Sequence, residues 1–300
     1  MNKTHRGTIF SVDAEVIQQT AYPGGQYIVR LRAPHCARAA SPGTFVHVQC
    51  TPGIPMRRPL SILRANAAEG WVEVLYKVVG SGLEALTRAE AGETVAVLGP
   101  IGHGFRPDPT RSIAVLIGGG VGIPPLMFLT EVLGHSPGVR WKPVAFFGSE
   151  LPFPFASGAA TLPVAGVPAA ATASMTLLEE WGVPSRLASN AGLPGCYPGF
   201  VTDLARTWIA NCPAADRARM TIYACGPTLM LKATQKVADE FAIPTQLCLE
   251  EFMACAVGGC AGCVVPVMLD GQRQMKRVCV DGPVFDGASV YAAAVASSLP

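Results

Sequence analysis

Four of the chain's ten cysteines are spaced as a group: Cys255, Cys260, Cys263 and, after 15 intervening residues, Cys279. Four thiolates are what a [2Fe–2S] cluster requires, two on each iron. The first three would then lie on one tight loop wrapped around the cluster. Gly258, Gly259 and Gly262 fall within that loop. Residues without a Cβ permit the positive-φ turns and close amide-to-sulfur approach that it needs, and such amides tune a cluster's reduction potential. Two other readings compete. A structural zinc site usually shows two C-x2–4-C knuckles, whereas the second half here offers Cys279 alone. Inert buried cysteines would have to gather around three glycines by chance. Cys255, Cys260, Cys263 and Cys279 are the expected metal ligands.

A second set of residues suits phosphate groups. Gly118-Gly119-Gly120-Val121-Gly122-Ile123-Pro124-Pro125 follows an apolar run at 113–117 and opens an apolar helix expected over 124–133. Small residues let a pyrophosphate approach the backbone, and a helix N-terminus favours its charge. Proline suits a first helical turn. The G-x-G-x-x-G spacing is not cleanly matched, and a plain tight turn is the competing reading. Cys225-Gly226-Pro227 ends a further apolar run at 221–225, at the strand edge where ligands of open α/β sheets bind. Taken alone, Cys225 reads as a buried strand-end thiol rather than a reactive one. Arg57-Arg58-Pro59-Leu60-Ser61 could grip a phosphate through an arginine fork and a hydroxyl. The bland alternative is a solvated strand end. Lys77-Val78-Val79-Gly80-Ser81-Gly82 is another glycine turn after a strand.

These residues need elements to position them, and the pattern predicts three units. Residues 1–106 read as an antiparallel β-barrel for a flavin. The run 71–79 alternates, with Val72, Val74, Tyr76 and Val78 on one face and Glu73 and Lys77 on the other. Strands are also expected at 45–49 and at 94–98, the latter stopped by Gly99-Pro100, and short strands punctuated by Gly and Pro suggest a barrel. After a linker at 106–109, residues 107–245 read as an α/β domain with a parallel sheet. Apolar strands at 113–117, 144–147 and 221–225 are followed by glycine turns or by helices at 124–133 and 227–241. Residues 246–300 form the expected cysteine module. The Ala- and Pro-rich stretch 151–176 reads as an irregular insertion without an assigned role.

Composition narrows the classes. Half of the 300 residues are hydrophobic and 15% are charged, which predicts packed globular structure. A net charge of +2 is too small to argue for a nucleic-acid partner. Residues 112–130 and 151–178 carry no charge, but their prolines break any membrane-spanning helix. Residues 1–16 have no signal-peptide apolar core, and the cysteine pattern is not that of a short secreted scaffold. The expectation is a cytoplasmic protein with neither a nucleic-acid nor a membrane partner. The five histidines are dispersed, so no catalytic acid–base constellation is expected.

In their order along nearly the whole chain, these motifs resemble the ferredoxin-reductase-like flavoproteins. Within them the likeness is to the electron-transfer subunits of two-component, NAD-linked dihydroorotate dehydrogenases. Arg58-Pro59-Leu60-Ser61 is similar to that family's FAD motif, and Leu75-Tyr76-Lys77 and Gly82-Leu83 fall where it makes further FAD contacts. Leu98-Gly99-Pro100-Ile101-Gly102-His103-Gly104-Phe105 resembles its domain junction. Gly118, Gly119, Gly120, Gly122, Cys225, Gly226 and Pro227 match its nucleotide side. The cysteine spacing and Cys279-Val280-Asp281-Gly282-Pro283-Val284-Phe285 match its cluster module. Three positions depart from it: Leu83 stands for a usual threonine, Phe252 for a basic residue and Ala256 for a glycine.

The resemblance implies FAD, a [2Fe–2S] cluster and NAD(H) as cofactors, and a heteromeric complex with an FMN-containing dihydroorotate dehydrogenase catalytic subunit. Electrons from dihydroorotate would run through that FMN, the cluster and FAD to NAD⁺, in pyrimidine biosynthesis. The same module could instead run from NAD(P)H to an oxygenase or hydrogenase. A zinc-bound nucleotide sensor is the non-enzymatic alternative. Direction and NAD against NADP stay open at the level of sequence.

Overall fold

The structure, a computed structural model, describes residues 8–291. The ends of the expected ranges 1–106 and 246–300, and part of the signal-peptide reading over 1–16, lie outside the described residues. The first half closes a six-stranded antiparallel barrel. Its elements are β1 (Phe10–Tyr22), β2 (Gln26–Arg32), α1 (Pro34–Ala39), β3 (Phe45–Gln49), β4 (Arg58–Asn66), β5 (Trp71–Lys77), α2 (Gly80–Leu86) and β6 (Thr94–Ile101). The order around the barrel is β1-β2-β5-β4-β3-β6. Alternation along β5 places Val72, Val74 and Tyr76 in the barrel core. Burying each such side chain contributes about 1.5–3 kcal/mol. β5 ends at Lys77, and Val79 precedes α2 as an exposed cap.

One strand boundary differs from expectation. β6 does not stop at Leu98 but runs through Gly99-Pro100 to Ile101. Phe45 pairs with Ile101 and His47 with Leu98, so β6 spends an extra residue there as a bulge. A bulge lifts Pro100, which has no N–H, out of the ladder.

The second half is built on one six-stranded sheet. Its first elements are β7 (Ile113–Gly119), α3 (Ile123–Gly134), β8 (Lys142–Gly148), β9 (Ser157–Ala159), β10 (Ala173–Met175), α4 (Thr176–Glu180) and β11 (Ser185–Ala188). α5 (Val201–Asn211), α6 (Ala214–Arg217), β12 (Met220–Cys225), α7 (Thr228–Phe241) and β13 (Thr245–Cys248) follow. The chain then forms the hairpin β14 (Val264–Leu269) and β15 (Gln272–Arg277), α8 (Val278–Asp281), β16 (Val284–Asp286) and α9 (Gly287–Tyr291). The strand order is β11-β8-β7-β12-β13-β16, parallel except for β16. The chain moves outward from β7 to β11 and returns to β12, so its direction of winding reverses between β7 and β12. In open sheets that crevice is where ligands bind.

Segment 151–176 is partly ordered into the β9–β10 hairpin. Glu179 of α4 accepts bonds from Leu162 and from Thr161. No helix among the described residues is long and apolar enough to cross a membrane, and within residues 112–130 β7 is followed by a short turn at 120–122 and the start of α3.

The two halves are fastened at several points. Arg64 of β4 makes a forked ion pair with Glu131 of α3, at 3.2 and 2.8 Å. Gln26, 2% exposed, donates from Nε2 to the carbonyls of Pro23 at 2.9 Å and Pro152 at 2.8 Å. Gln26→Ala leaves both acceptors without this donor, and an unmet buried group costs about 1–3 kcal/mol. Denaturant unfolding of the variant should show a loss of about 2 kcal/mol.

Candidate cofactor sites

β4 and β5 are neighbours in the barrel, so the two stretches expected at FAD lie side by side. Arg58, Pro59, Leu60, Ser61, Leu75, Tyr76, Lys77 and Leu83 all line one cavity of about 600 Å³. Leu60 and Tyr76 turn into the barrel core, while Leu75 sits on the outer face. The two adjacent arginines divide their work. Arg57 donates to the Ala96 carbonyl at 2.7 Å and is tied to the barrel wall. Arg58 donates to the Met56 carbonyl at 2.8 Å and lies under Gly82, where an added Cβ would stand 3.0 Å from its Nη2. Gly82 therefore leaves the room that keeps Arg58 facing the cavity. These donors and this cradle fit the phosphate of a flavin nucleotide.

The opposite wall of the cavity comes from far along the chain: Val121, Thr228 and residues 248–253. Glu250 is the residue that sequence reasoning missed. Burial pushes its carboxyl up to about 6. Its Oε1 stands 4.0 Å from the Cys225 sulfur. Cys225 is itself held as a thiol, its pKa raised by a hydrogen bond with Cys248 and by burial. Nothing in a Leu-Glu-Glu sequence separates this carboxylate from surface ones; only the fold brings it to Cys225. His47, also buried, is pushed down to about 4 by burial and by Arg57, so it is neutral at neutral pH.

The two glycine turns meet at the crevice between β7 and β12. Gly118 pairs with Cys225 in the register of those strands. A Cβ on Gly122 would stand 2.4 Å from the Cys225 carbonyl oxygen, and one on Gly119 2.6 Å from Met230 Sδ. Gly120 has φ +54 and Gly226 φ +155, backbone that L side chains rarely adopt. Pro227 caps α7. All seven residues expected on the nucleotide side are thus gathered at one place.

The cysteines form two pairs rather than one convergent set. Cys263 Sγ lies 3.3 Å from Cys279 Sγ, and Cys255 is hydrogen-bonded to Cys260. Among the described residues, no three His, Cys, Asp or Glu side chains converge to hold a single metal ion. Two thiol pairs suit two irons, whereas a zinc site needs four ligands around one. Burial raises the Cys255 thiol, but the amides of Val257 and Cys260, the Cys260 thiol and the Gly259 amide together outweigh it and bring it to about 7. Cys279 is pushed up to about 12 by burial and by Cys263. Amides close to sulfur are among the groups that set the potential of a thiolate-held cluster.

The comparisons with known proteins agree with this geometry. A family model for the iron–sulfur cluster binding domain of dihydroorotate dehydrogenase B matches residues 250–291. The dihydroorotate dehydrogenase B (NAD(+)) electron transfer subunit of Desulforamulus reducens is 31% identical, over 91% of this chain and 95% of that protein. The subunit of the same name from Listeria monocytogenes is 34% identical, over 92% of this chain and 97% of that one. The chain belongs to this electron transfer subunit family. Among solved structures, an NADH-dependent reduced ferredoxin–NADP oxidoreductase superposes with a TM-score of 0.72 at 24% identity, covering 93% of this chain and 90% of that one. The ferredoxin reductase of carbazole 1,9a-dioxygenase does so with a TM-score of 0.59 at 20% identity, over 78% and 67%. Both share the fold.

The three departures from the family pattern can now be placed. Leu83 is a buried lining residue of the flavin cavity. Phe252 stands 81% exposed at its mouth. Ala256 takes φ +55, left-handed backbone that the usual glycine would adopt without strain. A second cavity, of about 340 Å³, lies beyond Leu75, walled by Phe155, Met175 and Leu177. The Ala/Pro segment thus helps to enclose space against the barrel.

Two predictions follow from these contacts. Gly122→Ala forces the two turns apart, and a misplacement of about 1 Å costs roughly 100-fold in rate. Stopped-flow reduction of the flavin by NADH should slow by about that factor while FAD stays bound. Because folding raises the Glu250 pKa, the folded protein holds this proton more tightly than the unfolded chain. Its stabilisation is full below 4.5 and is lost as pH rises to about 6. Across that window wild type should lose about 2 kcal/mol more than Glu250→Gln in denaturant titrations.

Proposed function

We propose that this chain is the electron-transfer subunit of a two-component, NAD-linked dihydroorotate dehydrogenase, carrying electrons between the FMN of a catalytic subunit and NAD⁺. One observation supports this above the others. Residues 248–253 wall the flavin cavity and lead within two residues to Cys255. A single segment therefore borders both redox sites.

The chain's own work is positioning. Cys255, Cys260, Cys263 and Cys279 would hold the cluster. Arg58, Pro59, Leu60, Ser61, Leu75, Tyr76, Lys77, Gly82 and Leu83 would hold FAD. Gly118, Gly119, Gly120, Gly122, Cys225, Gly226 and Pro227 would receive the nicotinamide nucleotide. Bound flavin supplies the exchange between a hydride and single electrons, and a cluster carries electrons singly. Oxidising dihydroorotate to orotate releases two electrons and two protons. NAD⁺ takes both electrons and one proton, and the other proton leaves to solvent. The proton abstraction from dihydroorotate falls to the catalytic subunit, so this chain needs no general base for it. We place the protein in the cytoplasm, since the six cysteines outside the cluster site form no disulfide, as in a reducing compartment.

The test is the protein co-expressed with the FMN-containing subunit. It should show flavin absorption over broad cluster bands, contain iron and sulfide in equal amounts, and reduce NAD⁺ when dihydroorotate is added. A colourless, zinc-loaded protein overturns the reading. A coloured protein that pairs only with an oxygenase or hydrogenase component overturns the pyrimidine assignment and leaves electron transfer standing.

A further inference from the structure

The fourth ligand, Cys279, is delivered by a different element from the first three, so something must fix the two segments against each other. Arg277, at the end of β15, makes that connection. Its Nη1 donates to the Gly258 carbonyl at 3.0 Å. Its backbone N–H donates to Asp281 Oδ2 at 2.7 Å, and its Nε lies 3.8 Å from the same carboxylate. The loop is shaped to receive it. Gly258 has φ +82, and an added Cβ would stand 2.5 Å from Val280 Cγ2 and 3.2 Å from Arg277 Nη1. The apex of the cysteine loop is therefore held between the residues that flank Cys279.

The peptide between Gly258 and Gly259 gives this contact an electronic consequence. Its carbonyl oxygen accepts from Arg277, and its N–H, on Gly259, is one of the backbone groups that lower the Cys255 pKa, beside the Cys260 N–H that donates to the same sulfur at 3.4 Å. In a trans peptide these two groups lie on opposite sides of one conjugated plane. A cation on the oxygen polarises the unit and strengthens donation from the N–H, as in any chain of hydrogen bonds. Backbone of Gly258 also lowers the Cys279 pKa against burial and Cys263. Arg277 thus acts on the Cys255 side through the Gly258–Gly259 peptide and holds the Cys279 segment through Asp281.

We propose that Arg277 is a positioning residue of the cluster: through the Gly258–Gly259 peptide it holds the cysteine loop against the Cys279 segment and sets the reduction potential upward. Reduction adds negative charge to an already anionic thiolate-held group, and a nearby cation with strengthened N–H···S bonds favours the reduced form. The inference rests on the cluster assigned above and concerns a residue that is not a ligand.

The experiment is a potentiometric titration of the full-length chain with its FAD and cluster, followed by visible absorption and electron paramagnetic resonance. The flavin serves as an internal control. Arg277→Gln should shift the cluster's reduction equilibrium roughly tenfold toward the oxidised form, about 59 mV for one electron. The flavin midpoint should stay in place, and release of iron to a chelator should quicken. Arg277→Lys keeps the cation and should stay close to wild type. An unchanged cluster potential in Arg277→Gln, whatever happens to iron retention, overturns the proposal. So does an Arg277→Lys potential displaced as far as that of Arg277→Gln. If Arg277→Gln holds no cluster, a lysine variant that holds one at wild-type potential supports the proposal, and one that also holds none overturns it. Wild-type protein without iron and sulfide overturns the cluster reading itself, and the role of Arg277 with it.

Discussion

The antiparallel ladder between β13 and β16 decides where everything else stands. Gln246 pairs with Asp286, Leu247 with Phe285 and Cys248 with Val284. The Leu249 N–H then donates to the Pro283 carbonyl at 2.9 Å, and the His103 N–H to the Gly282 carbonyl at 2.6 Å. The cysteine loop and its hairpin leave the sheet after Cys248 and return to it at Val284, the pair that closes one end of this ladder. The sheet thus fixes both ends of the loop, and the barrel, through His103, fixes the return point. Backbone pairing, rather than side-chain packing alone, sets the cluster segment beside the flavin cavity.

Within that frame the sites are built largely from main chain. Glycines at 82, 119 and 122 mark places where a Cβ would strike Arg58, Met230 or the Cys225 carbonyl. Amides of Val257, Gly259 and Cys260 serve the Cys255 sulfur. Main-chain donors carry no side-chain entropy to be lost on binding, which suits a protein whose task is to hold cofactors still. Three arginines near the sites are tied down: Arg57 to Ala96, Arg64 to Glu131 and Arg277 to Gly258.

Local patterns were legible in the sequence. The cysteine spacing and the glycine turns work over a few residues, and β3 spans the same five residues, 45–49, as its run of β-formers. The FAD stretches at 58–61 and 75–77 were readable as motifs, though their adjacency on β4 and β5 was not. What escaped is what depends on distance along the chain. Glu250 acquires its environment from Cys225, and the three-residue β16 is a strand only because β13 offers it an edge. β6 outran its expected stop because a bulge opposite Phe45 accommodates Pro100. Segment 151–176 looked shapeless because its short β9–β10 pairing and the bonds with Glu179 and Arg186 join residues far apart along the chain.

The closure between Leu249 and Pro283 has a thermodynamic consequence. Bringing together the ends of residues 249–283 costs roughly 3 kcal/mol of loop entropy. A three-pair ladder is a small return on that cost, so ligands that cross-link the loop from within shift the balance toward the closed form. The wall of the flavin cavity and the four cysteines lie on the same closed loop. Order at the two redox sites is therefore one cooperative event rather than two.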